Sequence, residues 1–177
     1  MVFGKVVAGV LGYLMAGLPG LIIGGVVGHV FDRGLSGQFA LASPQRIARM
    51  QQTFFRTSFQ LMGHVAKADG RVSEVEISQA EALMRQLGIQ GDARDAAIGH
   101  FREGAAPDFD LDAALLTFKQ DCAGPRQIVF TMLELLIAMA MADGVIDPGE
   151  RSLLTRVALF LGYTAQEFER QIGRAHV

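Results

Sequence analysis

From Val6 to Phe31 the chain carries no Asp, Glu, Lys or Arg, and no other feature limits its fold so strictly. Those 26 residues reach ~39 Å as an α-helix. That is enough to cross the roughly 30 Å of hydrocarbon in a bilayer with some tilt. A secretory signal is the competing reading, but its apolar core is shorter and ends at small residues. This run continues instead into Asp32, Arg33, Gly34 and Leu35. Residues 1–33 are therefore expected to form a single transmembrane anchor. Only Lys5 precedes the span, whereas Arg33, Arg46, Arg49 and Arg56 follow it. The positive-inside rule then places the remainder in the cytoplasm.

The span carries a second pattern. Ala8, Gly12, Ala16, Gly20, Gly24 and Gly28 recur at every fourth position and so share one helix face. Small residues on one face let two helix backbones approach closely. Gly12, Ala16, Gly20, Gly24 and Gly28 are thus expected to form a homodimer contact. The plainer explanation is that glycine is common in membrane helices. Pro19 should kink the span, and His29 reads as an interfacial residue.

Beyond the span, residues 34–43 mix Gly, Ser and Gln without a period and read as a linker. Ser43-Pro44 reads as an N-cap and first helical residue. Ile47, Met50, Phe54, Phe55, Phe59, Leu61, Met62 and Val65 then recur at helical spacing up to Ala66. Further helices are expected over Asp92–Arg102, Asp110–Cys122 and Pro125–Ala142. The last of these is almost wholly apolar and is expected to be the buried central helix. Thr164-Ala165-Gln166-Glu167 is a capping box that opens a final helix, one the chain barely begins. No segment alternates as a strand would. The fold class is all-α: a helical domain over 44–171 behind the anchor.

An internal repeat organises that domain. Ala66-Lys67-Ala68-Asp69-Gly70-Arg71-Val72 recurs as Ala140-Met141-Ala142-Asp143-Gly144-Val145-Ile146, with Glu76 and Glu150 at the same offset and Leu87-Gly88 matched by Leu161-Gly162. One supersecondary unit is used twice. Each copy parses as helix, tight turn, helix. Gly70 and Gly144 suit a helix C-terminus. Ser73-Glu74-Val75-Glu76 and Asp147-Pro148-Gly149-Glu150 suit capping boxes.

The net charge of −2 gives the whole chain no pull towards nucleic acid or acidic lipid, and basic residues are scattered. The lone Cys122 excludes an internal disulfide and fits a reducing compartment. It has no nearby His, so it does not read as a nucleophile. His64 and His100 read as helix residues with one hydrogen bond each. No Walker A loop, G-x-S-x-G, zinc cysteine cluster or dinucleotide fingerprint is present. The chain is not expected to be an enzyme, and no organic cofactor is expected.

The paired Ala-x-Ala-Asp-Gly turns, each with a Glu seven residues after the Asp, resemble the TerB-like helical domain family. The N-terminal part resembles the DjlA-type membrane-anchored, DnaJ-like co-chaperones. Its marks are Gly4-Lys5 before the glycine-rich span, Gly28-His29-Val30-Phe31-Asp32 at its exit, Phe54-Phe55, and Met62-Gly63-His64 leading into Gly70-Arg71-Val72. The resemblance implies a bacterial inner-membrane protein with a cytoplasmic TerB-like domain of two pseudo-repeated hairpins. It also implies a C-terminal J domain that stimulates a DnaK-type chaperone through a His-Pro-Asp motif. No His-Pro-Asp occurs in this chain, so none of its residues carries that activity. Residues 172–177 read as a non-native tail, with the native sequence ending near Gln171.

TerB-like proteins are associated with divalent cations, and oxygen-rich turns suit hard cations. Asp69, Glu76, Asp143 and Glu150 are therefore the candidate metal ligands. The local reading competes with this one. Glu76 and Glu150 stand at N3 of capping boxes, and Asp69 and Asp143 can close their own turns. Two functions stay open: part of a membrane-anchored co-chaperone, or a stand-alone membrane-tethered module for stress sensing or cation binding.

Overall fold

The computed structural model describes residues 43–68, 74–86, 88–122, 126–141 and 145–175, and every regular element among them is an α-helix. In chain order these are α1 (Pro44–Ala66), α2 (Glu74–Gln86), α3 (Asp92–Gly104), α4 (Leu111–Asp121), α5 (Arg126–Ala140), α6 (Pro148–Phe160) and α7 (Ala165–Ala175). The expected anchor and its stripe of Gly12, Ala16, Gly20, Gly24 and Gly28 lie outside the described residues, as does the linker up to residue 42. Among the described residues no helix is long and apolar enough to cross a membrane.

α1 starts where its cap chemistry says it should. Ser43 is extended and its hydroxyl accepts from the Arg46 amide at 3.3 Å, with Pro44 in the first turn. The helix then buries Met50, Phe54, Phe55, Phe59, Leu61, Met62, Val65 and Ala66. It packs against α3, α4, α5 and α6, so it lies at the centre of the bundle.

α5, expected to be the buried central helix, also packs against four helices, α1, α2, α6 and α7. It buries Ile128, Met132, Leu133, Leu136, Ile137, Met139 and Ala140, with Glu134 and Ala138 exposed on its other side. α1 shares the centre with it, and hydrophobicity alone does not show this because α1 buries polar side chains, two of which find partners far along the chain. Thr53 donates to the Asp121 carboxylate at 2.7 Å, and Gln60 donates to Glu103 at 2.9 Å. A buried polar group with a partner costs far less than an orphaned one.

The seam between α1 and α3 is a direct approach of two helix backbones. A Cβ added at Gly63 would fall on the Phe101 carbonyl, and one added at Gly104 would fall on the Gln60 carbonyl. Only glycine fits at either position.

The repeat is visible in how its helices end. The Gly88 amide donates to Arg85 and the Ile89 amide to Met84; likewise, the Gly162 amide donates to Leu159 and the Tyr163 amide to Ala158. Both glycines have positive φ, 70° and 90°. This is the Schellman arrangement in each copy. The Asp147 cap forms a full capping box, with the Glu150 carboxylate accepting from the Asp147 amide at 3.0 Å. Gly70, Gly144 and Ser73 lie outside the described residues.

α7 differs from its expectation in length. Thr164 and Glu167 do form their capping box, with reciprocal bonds of 2.8 and 3.2 Å. The helix they open, however, runs on through Ala175 and brings Phe168 and Ile172 into the core. The expected tail 172–177 thus begins inside a helix.

Two glycines of α3 separate packing from propensity. Gly104→Ala forces α1 and α3 apart and is expected to cost about 1–3 kcal/mol of stability. At Gly99 an added Cβ meets nothing within 4 Å, so Gly99→Ala should instead gain about 0.5–1 kcal/mol. Urea unfolding of the two variants checks the opposite signs.

Candidate functional site

The four acidic residues singled out from the repeat fare differently. Asp69 and Asp143 lie outside the described residues, as does the side chain of Glu76. Glu150 is buried at 9% exposure, with its carboxylate on the Asp147 amide. Among the described residues no group of three or more His, Cys, Asp or Glu side chains is placed to hold a metal.

The backbone flanking the two turns does converge. Ala68 immediately precedes Asp69, and Gly149 immediately precedes Glu150. A Cβ added at Gly149 would lie 3.4 Å from the Ala68 carbonyl oxygen. Beside this junction is a groove of about 500 Å³ between the end of α1, the α3–α4 loop and the start of α6, with His64, Lys67, Ser152 and Arg156 in its wall. Its charge is basic. Arg156 reaches across to α4, where one Nη donates to both carboxylate oxygens of Asp112 at 2.8 Å.

His64 is held in one orientation. Its Nδ1–H donates to the Gly104 carbonyl at 3.2 Å, and its ring lies 5.1 Å from that of Phe109. Burial pushes its pKa below the ordinary histidine value. Arg156 and Lys67 push the same way, and the Gly104 bond opposes them. The ring is therefore neutral at pH 7 with the proton on Nδ1.

A second groove of about 450 Å³ lies on the neighbouring face, with Thr53, Arg56, Thr57 and Gln60 of α1 facing Glu103, Asp108, Asp110 and Thr117. Here His100 and Gln60 both bond the Glu103 carboxylate, at 3.1 and 2.9 Å. These bonds, that from His100 first, hold its pKa below the usual carboxylate range. Sequence reasoning missed this network. Its signal was present: Thr53, Thr57, Gln60 and His64 repeat at three-to-four spacing through an otherwise apolar helix.

Cys122 is not a reaction centre. It caps α4 at 3% exposure, its thiol donates to the Met50 carbonyl at 3.6 Å, and burial, helped by Asp121, pushes its pKa up to about 12. Without thiolate at neutral pH it is inert.

Comparison with known proteins returns two families in tandem. Residues 1–38 match the co-chaperone DjlA transmembrane domain, and residues 56–172 match the tellurite resistance protein TerB. Curated relatives named co-chaperone protein DjlA include that of Shewanella oneidensis, 40% identical over 149 residues (84% of this chain, 57% of the relative). That of Yersinia pestis is 40% identical over 169 residues (95% and 61%), and that of Coxiella burnetii 38% over 177 (95% and 65%). The chain thus spans about three-fifths of the length of these relatives. No solved structure matches.

Two substitutions test what these side chains do. Gln serves as well as Glu at N3 of a capping box. Glu150→Gln should therefore leave the melting temperature within a degree or so. Glu150→Ala should lower it by about 2–4 °C, the equivalent of about 1 kcal/mol in a domain of this size. For His64, the folded pKa lies below the unfolded value, so the unfolded chain takes up the proton first as pH falls. The stability this residue supports is complete above about pH 6.5 and is lost as the pH falls below that. Melting scans from pH 7.5 to 5.5 should show the decline, and His64→Gln should flatten it.

Proposed function

The chain belongs to the TerB family, in the membrane-anchored arrangement of the DjlA co-chaperones, and on that premise we propose that it forms the anchoring and interaction part of a co-chaperone. Residues 1–33 hold it in the bacterial inner membrane as a single span, with the helical domain in the cytoplasm. The small-residue face of that span pairs two copies. The TerB-like bundle presents its grooves to other proteins. Stimulation of a DnaK-type chaperone would belong to a J domain, which the resemblance to the DjlA-type co-chaperones implies after the TerB-like part. The single observation behind this reading is the tandem order of matches, a DjlA transmembrane domain at 1–38 followed by TerB at 56–172.

A second reading, a tethered module that binds a divalent cation at its turns, draws support from the approach of Ala68 to Gly149. Against it, the described carboxylate of Glu150 is already engaged by its own cap. Calorimetry with Ca²⁺, Mg²⁺ and Zn²⁺ separates the two. Heat together with a raised melting temperature would favour the cation module.

The co-chaperone reading makes a paired prediction. In a membrane two-hybrid reporter, Gly20→Leu and Gly24→Leu should cut self-association several-fold. In reconstituted vesicles this chain should leave the DnaK ATPase rate unchanged, and the same chain joined to a J domain should raise it. Unaltered self-association in both variants removes the dimer, and stimulation by this chain alone removes the division of labour.

A further inference from the structure

The net charge of −2 conceals an uneven distribution. Between Asp32 and Asp69 there is no acidic residue, while Arg33, Arg46, Arg49, Arg56 and Lys67 all fall in that stretch. In the first half of α1, Gln45, Arg46, Arg49, Gln52 and Arg56 are exposed, while Met50, Gln51, Thr53, Phe54 and Phe55 are buried. At 3.6 residues per turn, Arg46, Arg49 and Arg56 fall within about a quarter of the helix circumference, a sector they share with Thr53, which is buried beneath them against Asp121. Among the described residues none of the three guanidinium groups forms an ion pair. Arg56 does lend charge to the field around Glu103, so the uncompensated end of the stripe is Arg46 and Arg49.

This arrangement runs against local helix chemistry. A first turn ordinarily carries Asp or Glu, which the helix dipole favours. The first turn of α1 has no acidic residue and contains Arg46 instead.

Position supplies the partner. The anchor is expected to end at residue 33, and the α1 cap is Ser43. The chain between them spans at most ~35 Å when extended. The exposed arginines are therefore tethered near the bilayer, and contact needs the first turns of α1 to come within the roughly 8 Å over which a charged surface acts at physiological salt.

We propose that Arg46, Arg49 and Arg56 form a contact surface for anionic phospholipid headgroups, which lays the first half of α1 along the bilayer and fixes the orientation of the bundle. The proposal rests on the membrane-anchor reading above. Guanidinium groups pair with phosphate through two parallel N–H donors. Each basic residue close to an anionic leaflet strengthens such a contact about fivefold, so Arg46 and Arg49 together give roughly 25-fold, and Arg56 adds less because it also faces Glu103, Asp108 and Asp110. The contact is electrostatic and weakens with salt.

The test uses the full chain in nanodiscs of phosphatidylcholine with or without phosphatidylglycerol. A fluorophore is attached through Gln52→Cys, since buried Cys122 does not react. Quenching by lipids spin-labelled on the headgroup reports contact. Strong quenching is expected only with phosphatidylglycerol. It should fall several-fold in 0.5 M salt, and likewise in the triple variant Arg46→Gln, Arg49→Gln and Arg56→Gln. Equal quenching in neutral and anionic discs, or indifference to salt, overturns the proposal. Quenching that ignores lipid charge and disappears when an oligonucleotide is added assigns the stripe to nucleic acid and overturns it too. Flotation with carbonate-washed vesicles reads the anchor separately: failure to float refutes the anchor, whereas flotation without charge-dependent quenching refutes the stripe alone.

Discussion

Gly63 and Gly104 let the backbones of α1 and α3 touch, and the interior of the bundle is arranged around that contact. With the two helices so close, Gln60 reaches the Glu103 carboxylate and His64 reaches the Gly104 carbonyl. Both bonds cross the seam within one turn of the glycines. A larger residue at either position would widen the gap and leave these polar groups without partners, which in an apolar interior costs more than the lost packing alone. The seam therefore sets both the separation of the helices and the solvation of the polar stripe on α1. The two grooves follow from it, because each is walled by the stretch of α1 that the seam positions.

Features governed by local chemistry could be read from the sequence. Ser43, Asp147 with Glu150, and Thr164 with Glu167 act as caps because a cap needs only the few residues around it. The match of Gly88 with Gly162 could be read too, but not that these two glycines end their helices; that role was expected of Gly70 and Gly144, which lie outside the described residues. That α1 shares the centre with α5 could not be read this way. Residues 125–142 are the more apolar segment, but apolarity records what a side chain tolerates, not which neighbours the chain brings to it. Thr53 and Gln60 are buried because Asp121 and Glu103, 68 and 43 residues away, arrive to meet them.

The candidate site was legible to a smaller degree. The repeat located two acidic turns, and the approach of Ala68 to Gly149 brings their flanks together, although Asp69 and Asp143 themselves lie outside the described residues. Of the proposed ligands, Glu150 shows how a residue that stands out in a motif can be occupied by the backbone. The residues that shape the grooves drew no attention singly. His64, Lys67 and Arg156 come from segments nearly a hundred residues apart, and only folding gives them a common wall.

The burial of Phe168 and Ile172 has a consequence for how the protein is made. The core that α1 occupies is closed by the last helix, with Gln171 of α7 donating to the Phe130 carbonyl of α5. Chains emerge from the ribosome N-terminus first, at about 5–20 residues per second. The faces of α5 and α6 that α7 packs against therefore stay uncovered until α7 leaves the exit tunnel, so the domain completes its core only when its C-terminal helix arrives.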